Sequence, residues 1–239
     1  MAPPLVDLRI LEDPAPPCAE MLVEAARAGQ HISLTGGSTP GLAYREAVRL
    51  EQDWSGATLW WGDDRCVPPD DELSNYRLAR ETLLDLLPDG GAPEVRRIPG
   101  ERGPHVGAED YERDLRGAFG QQLPRLDFML LGLGPDGHVA SLYPGQATLD
   151  VRDRPTVGVD EAGWKPYVPR VSMTMPVLCG ARKIVFLVAG EDKADAVARC
   201  FGPEVEPTKD APGSMVRPVD GELIVLLDEA AASRLDAAA

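Results

Sequence analysis

Residues Leu126 to Gly145 read LDFMLLGLGPDGHVASLYPG. The opening LDFMLL is a near-continuous apolar run of strand length, without the polar alternation of a half-exposed strand. A strand that is apolar on both sides must be covered on both sides, which is the condition of a parallel sheet between helices. The run ends in Gly132, Gly134 and Gly137, with Asp136 and His138 among and just after them. One of only three histidines in the chain therefore stands immediately past the carboxyl end of a buried strand.

The same alternation extends in both directions. HISLT, ATLWWG, VPRVSMT, KIVFLVAG and ELIVLLD have strand character. Between and after them, CAEMLVEAARAG, TPGLAYREAVRL, SNYRLARETLLDLL, EDYERDLRGAF, EDKADAVARCF and EAAASRL have helical character. Gly29 suits a helix C-terminus, and Ala79, Leu83, Leu86 and Leu87 form one apolar helical stripe. Residues 145–165, rich in Asp, Gly and Pro, read as surface loop with little regular structure. No linker, internal repeat or low-complexity tract divides the 239 residues, so one domain spanning 1–239 is expected. The predicted fold is α/β, a three-layer α/β/α arrangement around a mainly parallel, Rossmann-like sheet.

Composition narrows the function classes. Hydrophobic residues make up 44% of the chain, enough for a sizeable core. No run approaches the roughly 20 apolar residues of a membrane span, and the N-terminus lacks the basic and apolar regions of a secretory signal. The four cysteines, Cys18, Cys66, Cys179 and Cys200, are scattered without a C-x-x-C pair, which suits a reducing compartment. A soluble cytoplasmic protein without a zinc cluster is expected. The net charge of −15 argues against a nucleic-acid partner. It also opposes any anionic ligand, so such a ligand would have to be held by local cations.

Ligands of open parallel α/β sheets sit beyond the carboxyl ends of the strands, and three such ends carry unusual residues. TGGSTP, Thr35 to Pro40, offers Gly36 and Gly37 for a tight turn, and Ser38 and Thr39 as capping types at a helix start. The exposed amides there suit an anion, although a plain strand-to-helix turn uses the same residues. After ATLWWG, Asp63, Asp64 and Arg65 read equally as surface carboxylates with their ion-pair partner or as a site where Arg65 reaches an anion. At the third end, His138 is a candidate general base, and the Asp136 carboxylate could fix its tautomer. His31 and His105 are expected to be structural or superficial.

Taken together, LTGGSTP, WWGDDRCVPPDDELSNYRLARETLL, LDFMLLGLGPDGHVASLYPG, PRVSMT and GEDKADAV resemble the 6-phosphogluconolactonase family, in that family's order, from about Ser33 to Lys193. The resemblance implies hydrolysis of 6-phosphoglucono-lactone to 6-phosphogluconate in the oxidative pentose phosphate pathway. It further implies a fold shared with sugar-phosphate isomerases and no metal or organic cofactor. By position, His138 would be the general base and Asp136 would help to set its loop. Gly36, Gly37, Ser38, Thr39, Asp63 and Arg65 would face the substrate, with Arg170 and Lys193 as further basic contacts. The expected partner is a small sugar-phosphate lactone, with neither nucleic acid nor membrane, acting on a monomer or weak dimer. The chain departs from the family in Asp64, where Glu is frequent, and APGSMVRP matches its small-residue turn only loosely.

Two rival readings follow. A glucosamine-6-phosphate deaminase shares the Asp-Gly-His loop but carries a glutamate a few residues later, where this chain has Tyr143. A tyrosine of ordinary pKa near 10 is a poor substitute for that acid. A sugar-phosphate sensor would normally carry a DNA-binding module, for which the N-terminal segment is too short.

Overall fold

A computed structural model of the chain describes residues 6–235. In chain order the elements are β1 (Val6–Leu11), α1 (Ala15–Arg27), β2 (His31–Leu34), α2 (Ser38–Leu50), β3 (Thr58–Trp61), β4 (Asp63–Arg65), α3 (Asn75–Thr82), β5 (Glu94–Val95) and α4 (Pro104–Phe119). There follow β6 (Phe128–Leu131), β7 (Thr156–Val159), β8 (Arg170–Met173), α5 (Met175–Gly180), β9 (Lys183–Val188), α6 (Ala194–Phe201), β10 (Glu222–Asp228) and α7 (Glu229–Ala232). Seven strands form one parallel sheet in the order β1-β10-β9-β6-β2-β3-β5. Its inner strands β6, β9 and β10 are the apolar runs of the sequence, and all four residues of β6 are buried.

Both faces of the sheet are covered. Trp60 and Trp61 are consecutive in β3, so their side chains leave on opposite faces, yet both are fully buried. Trp60 meets Tyr111 and Phe119 of α4, while Trp61 meets Tyr76 of α3 edge-on. This is the expected three-layer arrangement. Among the described residues, no helix is long and apolar enough to cross a membrane.

Several sequence expectations need correction. Residues 145–165 are not simply loop, because they contain β7 and a short 3-10 turn at Ala147–Asp150. The strand in VPRVSMT is β8, which lies outside the main sheet. It is the centre of a three-stranded antiparallel sheet, β4-β8-β7. Asp63 to Arg65 is likewise a strand rather than an open loop. The helix expected through Leu87 ends at Thr82, where Leu83 leaves helical geometry at φ −135° and ψ −65°; a 3-10 turn at Leu84–Leu86 follows, and Pro88 holds Leu87 extended at φ −80° and ψ 144°. Ala79 and Leu83 of the apolar stripe are buried, but Leu86 is exposed. The edge strands β1, where Val6 to Ile10 alternate apolar and polar residues, and β5, of two residues, were not among the expected strands; of the N-terminal stretch, residues 1–5 lie outside the described region.

The topology opens one crevice. From β2 the chain proceeds to β3 on one side, and from β6 to β9 on the other, so neighbouring β2 and β6 form the switch point where ligands bind. The β2–β3 pairing runs on to Leu34 and Trp61, whereas β2 pairs with β6 only at Ile32 and Ser33. The two central strands therefore part toward their carboxyl ends.

Candidate active site

A cleft of about 430 Å³ lies at those strand ends. It brings together Gly36, Gly37, Ser38, Thr39, Asp63, Arg65, His138, Arg170 and Lys193 from across the chain. Asp136 is not in its wall but stands behind His138. His31 and His105 are elsewhere: His31 accepts a hydrogen bond from the Trp60 indole (3.1 Å), and His105 meets Asp160 at the surface (2.9 Å).

The His138 loop is braced from three directions. Asp136 Oδ1 accepts from the His138 backbone N–H (3.1 Å) and lies 2.5 Å from His138 Nδ1. Burial pushes the Asp136 carboxyl upward, but the hydrogen bond and charge of His138 outweigh it and hold the carboxyl below its ordinary range. The pairing selects the tautomer with the proton on Nδ1 and leaves the Nε2 lone pair free. From below, the Tyr143 ring packs against the imidazole with centroids 4.7 Å apart. From the side, Ser141 Oγ donates to Asp63 Oδ2 (2.6 Å), tying the loop to β4. Between them Ala140 adopts a left-handed φ of 48°, a strained conformation for alanine that these contacts impose.

The segment APGSMVRP, which the sequence left without a role, supports the same loop. Gly213 N–H donates to Gly137 O (2.8 Å). Gly137 has φ 90°, and a Cβ on it would come within 3.1 Å of Ala211. Arg199 of α6 adds a bond to Pro135 O (3.3 Å).

The opposite wall is built by β4 and β8. The strand period puts Asp63 and Arg65 on one face and Asp64 on the other. Arg65 stands directly opposite Arg170 in the antiparallel register. Like charges directly opposed across a ladder are unfavourable, and among the described residues neither arginine has a carboxylate within 4 Å. Arg65 Nη1 donates to Leu73 O and to Asn75 Oδ1, both at 2.7 Å, while its buried Nε has no protein partner. Burial pulls the buried Arg170 guanidinium downward, and the charge of Arg65 adds to the effect. Two opposed guanidinium groups in the cleft wall, neither with a carboxylate within 4 Å, make a site for an anion.

Asn75 links this wall to the glycine loop. Its Nδ2 donates to Asp63 O (2.9 Å) and Oδ1 (3.3 Å), while its Oδ1 accepts from Arg65. A Cβ on Gly36 would fall 1.9 Å from that same oxygen, so the glycine is needed for contact. The cap of α2 is Gly37, with φ 113°, rather than Ser38 or Thr39, and no side chain caps the helix. Its first-turn amides thus face the cleft beside Arg65. The sequence missed Asn75, Ser141, Trp164 and Lys165 as site residues. Asn75 had a signal only as the residue after the helix-capping Ser74. Asp63 lines the cleft, and its carboxylate also accepts from Ser141 Oγ and Asn75 Nδ2.

Asp64 faces away and organises α3. Its carboxylate accepts from the N–H groups of Arg65 (2.7 Å), Asn75 (2.7 Å) and Tyr76 (3.1 Å), and from Ser74 Oγ (3.2 Å). Burial pushes it up from 3.8 to about 6 against the pull of those amides. The native chain thus binds this proton more readily than the unfolded chain does, so its contribution to stability falls as pH rises from about 4 to about 6. Asp64→Asn is expected to lose about 1–3 kcal/mol at pH 7, since an amide cannot accept from donors on both sides. It should also flatten that part of the pH dependence, as urea midpoints at several pH values will show.

Residues 14–225 match the family model described as glucosamine-6-phosphate isomerases/6-phosphogluconolactonase. The chain belongs to this family. It is 38% identical over 225 residues to a 6-phosphogluconolactonase from Homo sapiens, covering 91% of this chain and 85% of that one. It is 37% identical over 208 residues to one from a Nostoc species, covering 85% and 84%. Among solved structures, a 6-phosphogluconolactonase from Trypanosoma cruzi superposes with a TM-score of 0.82 at 25% identity, over 97% of each chain.

Proposed function

We propose that this chain, acting as a single domain, hydrolyses 6-phospho-D-glucono-1,5-lactone to 6-phospho-D-gluconate. The observation that carries the reading is His138, pinned through Nδ1 to Asp136, in one cleft with the Arg65–Arg170 pair. The phosphate is held by the backbone amides of Gly36–Thr39, leading into α2, with Arg65, Arg170 and Lys193, locally overriding the net charge of −15. Phosphate anchorage orients the lactone carbonyl toward His138. The Nε2 lone pair takes a proton from water as the water oxygen attacks C1. The tetrahedral oxyanion then collapses, the bond from C1 to the ring oxygen breaks, and that oxygen regains the proton from the imidazolium. No covalent intermediate is required. The four free cysteines suit a reducing compartment, in keeping with a cytoplasmic reaction.

The family also contains deaminases. Against that activity stands Tyr143, whose ring occupies the place beside His138 and whose hydroxyl burial makes still less acidic. The deciding experiment supplies lactone generated in situ and, separately, glucosamine 6-phosphate. Lactone loss above spontaneous hydrolysis with no ammonia release is expected; ammonia release without lactone turnover would reverse the assignment. Arg65→Ala should raise KM between about ten- and a hundredfold, the range of one hydrogen bond to a charged group, with a smaller change in kcat. An unchanged KM would remove Arg65 from the phosphate site.

A further inference from the structure

The connection from β7 to β8 carries two cleft residues to which the reaction above gives no role, Trp164 and Lys165. The other three tryptophans, Trp54, Trp60 and Trp61, are completely buried, whereas Trp164 is 42% exposed. The other three lysines each pair with a carboxylate. Lys165 pairs with none among the described residues.

The backbone around these two residues is tethered to the site itself. Before them, Val159 and Ala162 pack with Tyr143 in a small apolar cluster apart from the main core. Gly163 lies so close to the Tyr143 ring that a Cβ would come within 2.9 Å of it. Gln146 Nε2 secures the turn through Glu161 O (2.8 Å). After them, the Arg170 guanidinium donates to Pro166 O (2.8 Å) and Val168 O (3.1 Å). Two exposed side chains are thus carried on a backbone fastened to Tyr143, which backs the base, and to Arg170, which flanks Arg65.

We propose that Trp164 and Lys165 form a capping arm over the phosphate end of the substrate. The Lys165 ammonium contacts the anion beside Arg65 and Arg170, and the Trp164 indole screens that contact from water. An ammonium on a flexible stem adapts to a dianion already gripped by the planar arginines. Partial exclusion of water strengthens each of these contacts. Because the arm is exposed, its contribution weakens with added salt. The inference rests on the lactonase reading for its substrate, though not for its anion chemistry.

Lys165→Ala, Trp164→Phe and a control, Tyr167→Ala, test it; Tyr167 is 69% exposed and outside the cleft wall. Tryptophan fluorescence is titrated with 6-phosphogluconate and with inorganic phosphate, alongside steady-state lactonase rates. In Lys165→Ala, KM and the inhibition constant for phosphate should both rise about tenfold, the low end for a hydrogen bond to a charged group. Its kcat should stay within about twofold, and the difference should shrink in high salt. Ligand should change the wild-type fluorescence, Trp164→Phe should abolish the change, and Tyr167→Ala should match wild type throughout. Wild-type constants in Lys165→Ala, or a full fluorescence response in Trp164→Phe, would overturn the arm. Absence of lactone turnover in the wild type would instead overturn the lactonase reading, and the arm would then stand or fall on the phosphate titration.

Discussion

Replacing His138 by alanine is expected to lower kcat by about a thousandfold, within the 10²–10⁴ range of a general base, while KM changes little. The split follows from the division of the cleft. In the proposed reaction, phosphate affinity is assigned to the amides at the start of α2 and the opposed arginines, none of which depends on the imidazole, and deprotonation of water to Nε2 alone. Asp136→Asn should give a smaller loss of the same kind, because an amide can hold Nδ1 without favouring the protonated tautomer. Since His138 keeps the Asp136 carboxyl below its ordinary range, the pairing is complete above about pH 4 and is lost only as pH falls through that lowered value. Stopped-flow loss of freshly generated lactone, corrected for spontaneous hydrolysis, measures all three proteins; near-normal kcat in His138→Ala would eliminate the proposed base.

Gly134→Ala should reduce kcat by about a hundredfold, although it removes no chemical group. A Cβ at Gly134 would lie 1.9 Å from His138 Nδ1 and 2.1 Å from Cε1, so the ring cannot stay where it is. It cannot retreat cheaply either, with Asp136 behind it and Tyr143 against its face. Displacement by about 1 Å from a productive geometry is enough for a loss of that size. The thermal midpoint should fall much less than activity does, and the histidine ring resonances should move in NMR spectra. A variant with wild-type kcat would show that the imidazole works from another position.

These two residues also illustrate what could be read in advance. His138, Asp136 and Gly134 lie within five positions of one another, so their conjunction at a strand end is visible in the linear sequence. The apolar run before them implies burial on both faces, and hence helices on both sides, because burial depends only on local side-chain polarity. Arg65 and Arg170 were legible only separately. Their direct opposition arises because Gly62 takes the chain out of the main sheet, bonding to Leu34 O on entry (3.0 Å) and to Met173 N–H on exit (2.7 Å). The antiparallel β4–β8–β7 sheet so formed looks, in sequence, like a short charged turn, one ordinary strand and a loop.

The sequence by itself determined the layered α/β class, the carboxyl-end position of the cleft, and the placing of His138 there with its adjacent carboxylate. Each of these rests on local periodicity or on residues a few positions apart. Only the tertiary structure decided that Asn75 joins the glycine loop to Arg65, that Ser141 binds Asp63, that APGSMVRP supports Gly137, and that Trp164 and Lys165 overlook the cleft. Those contacts span tens of residues and depend on which strand ends the topology brings together, and no local pattern of polarity encodes that choice.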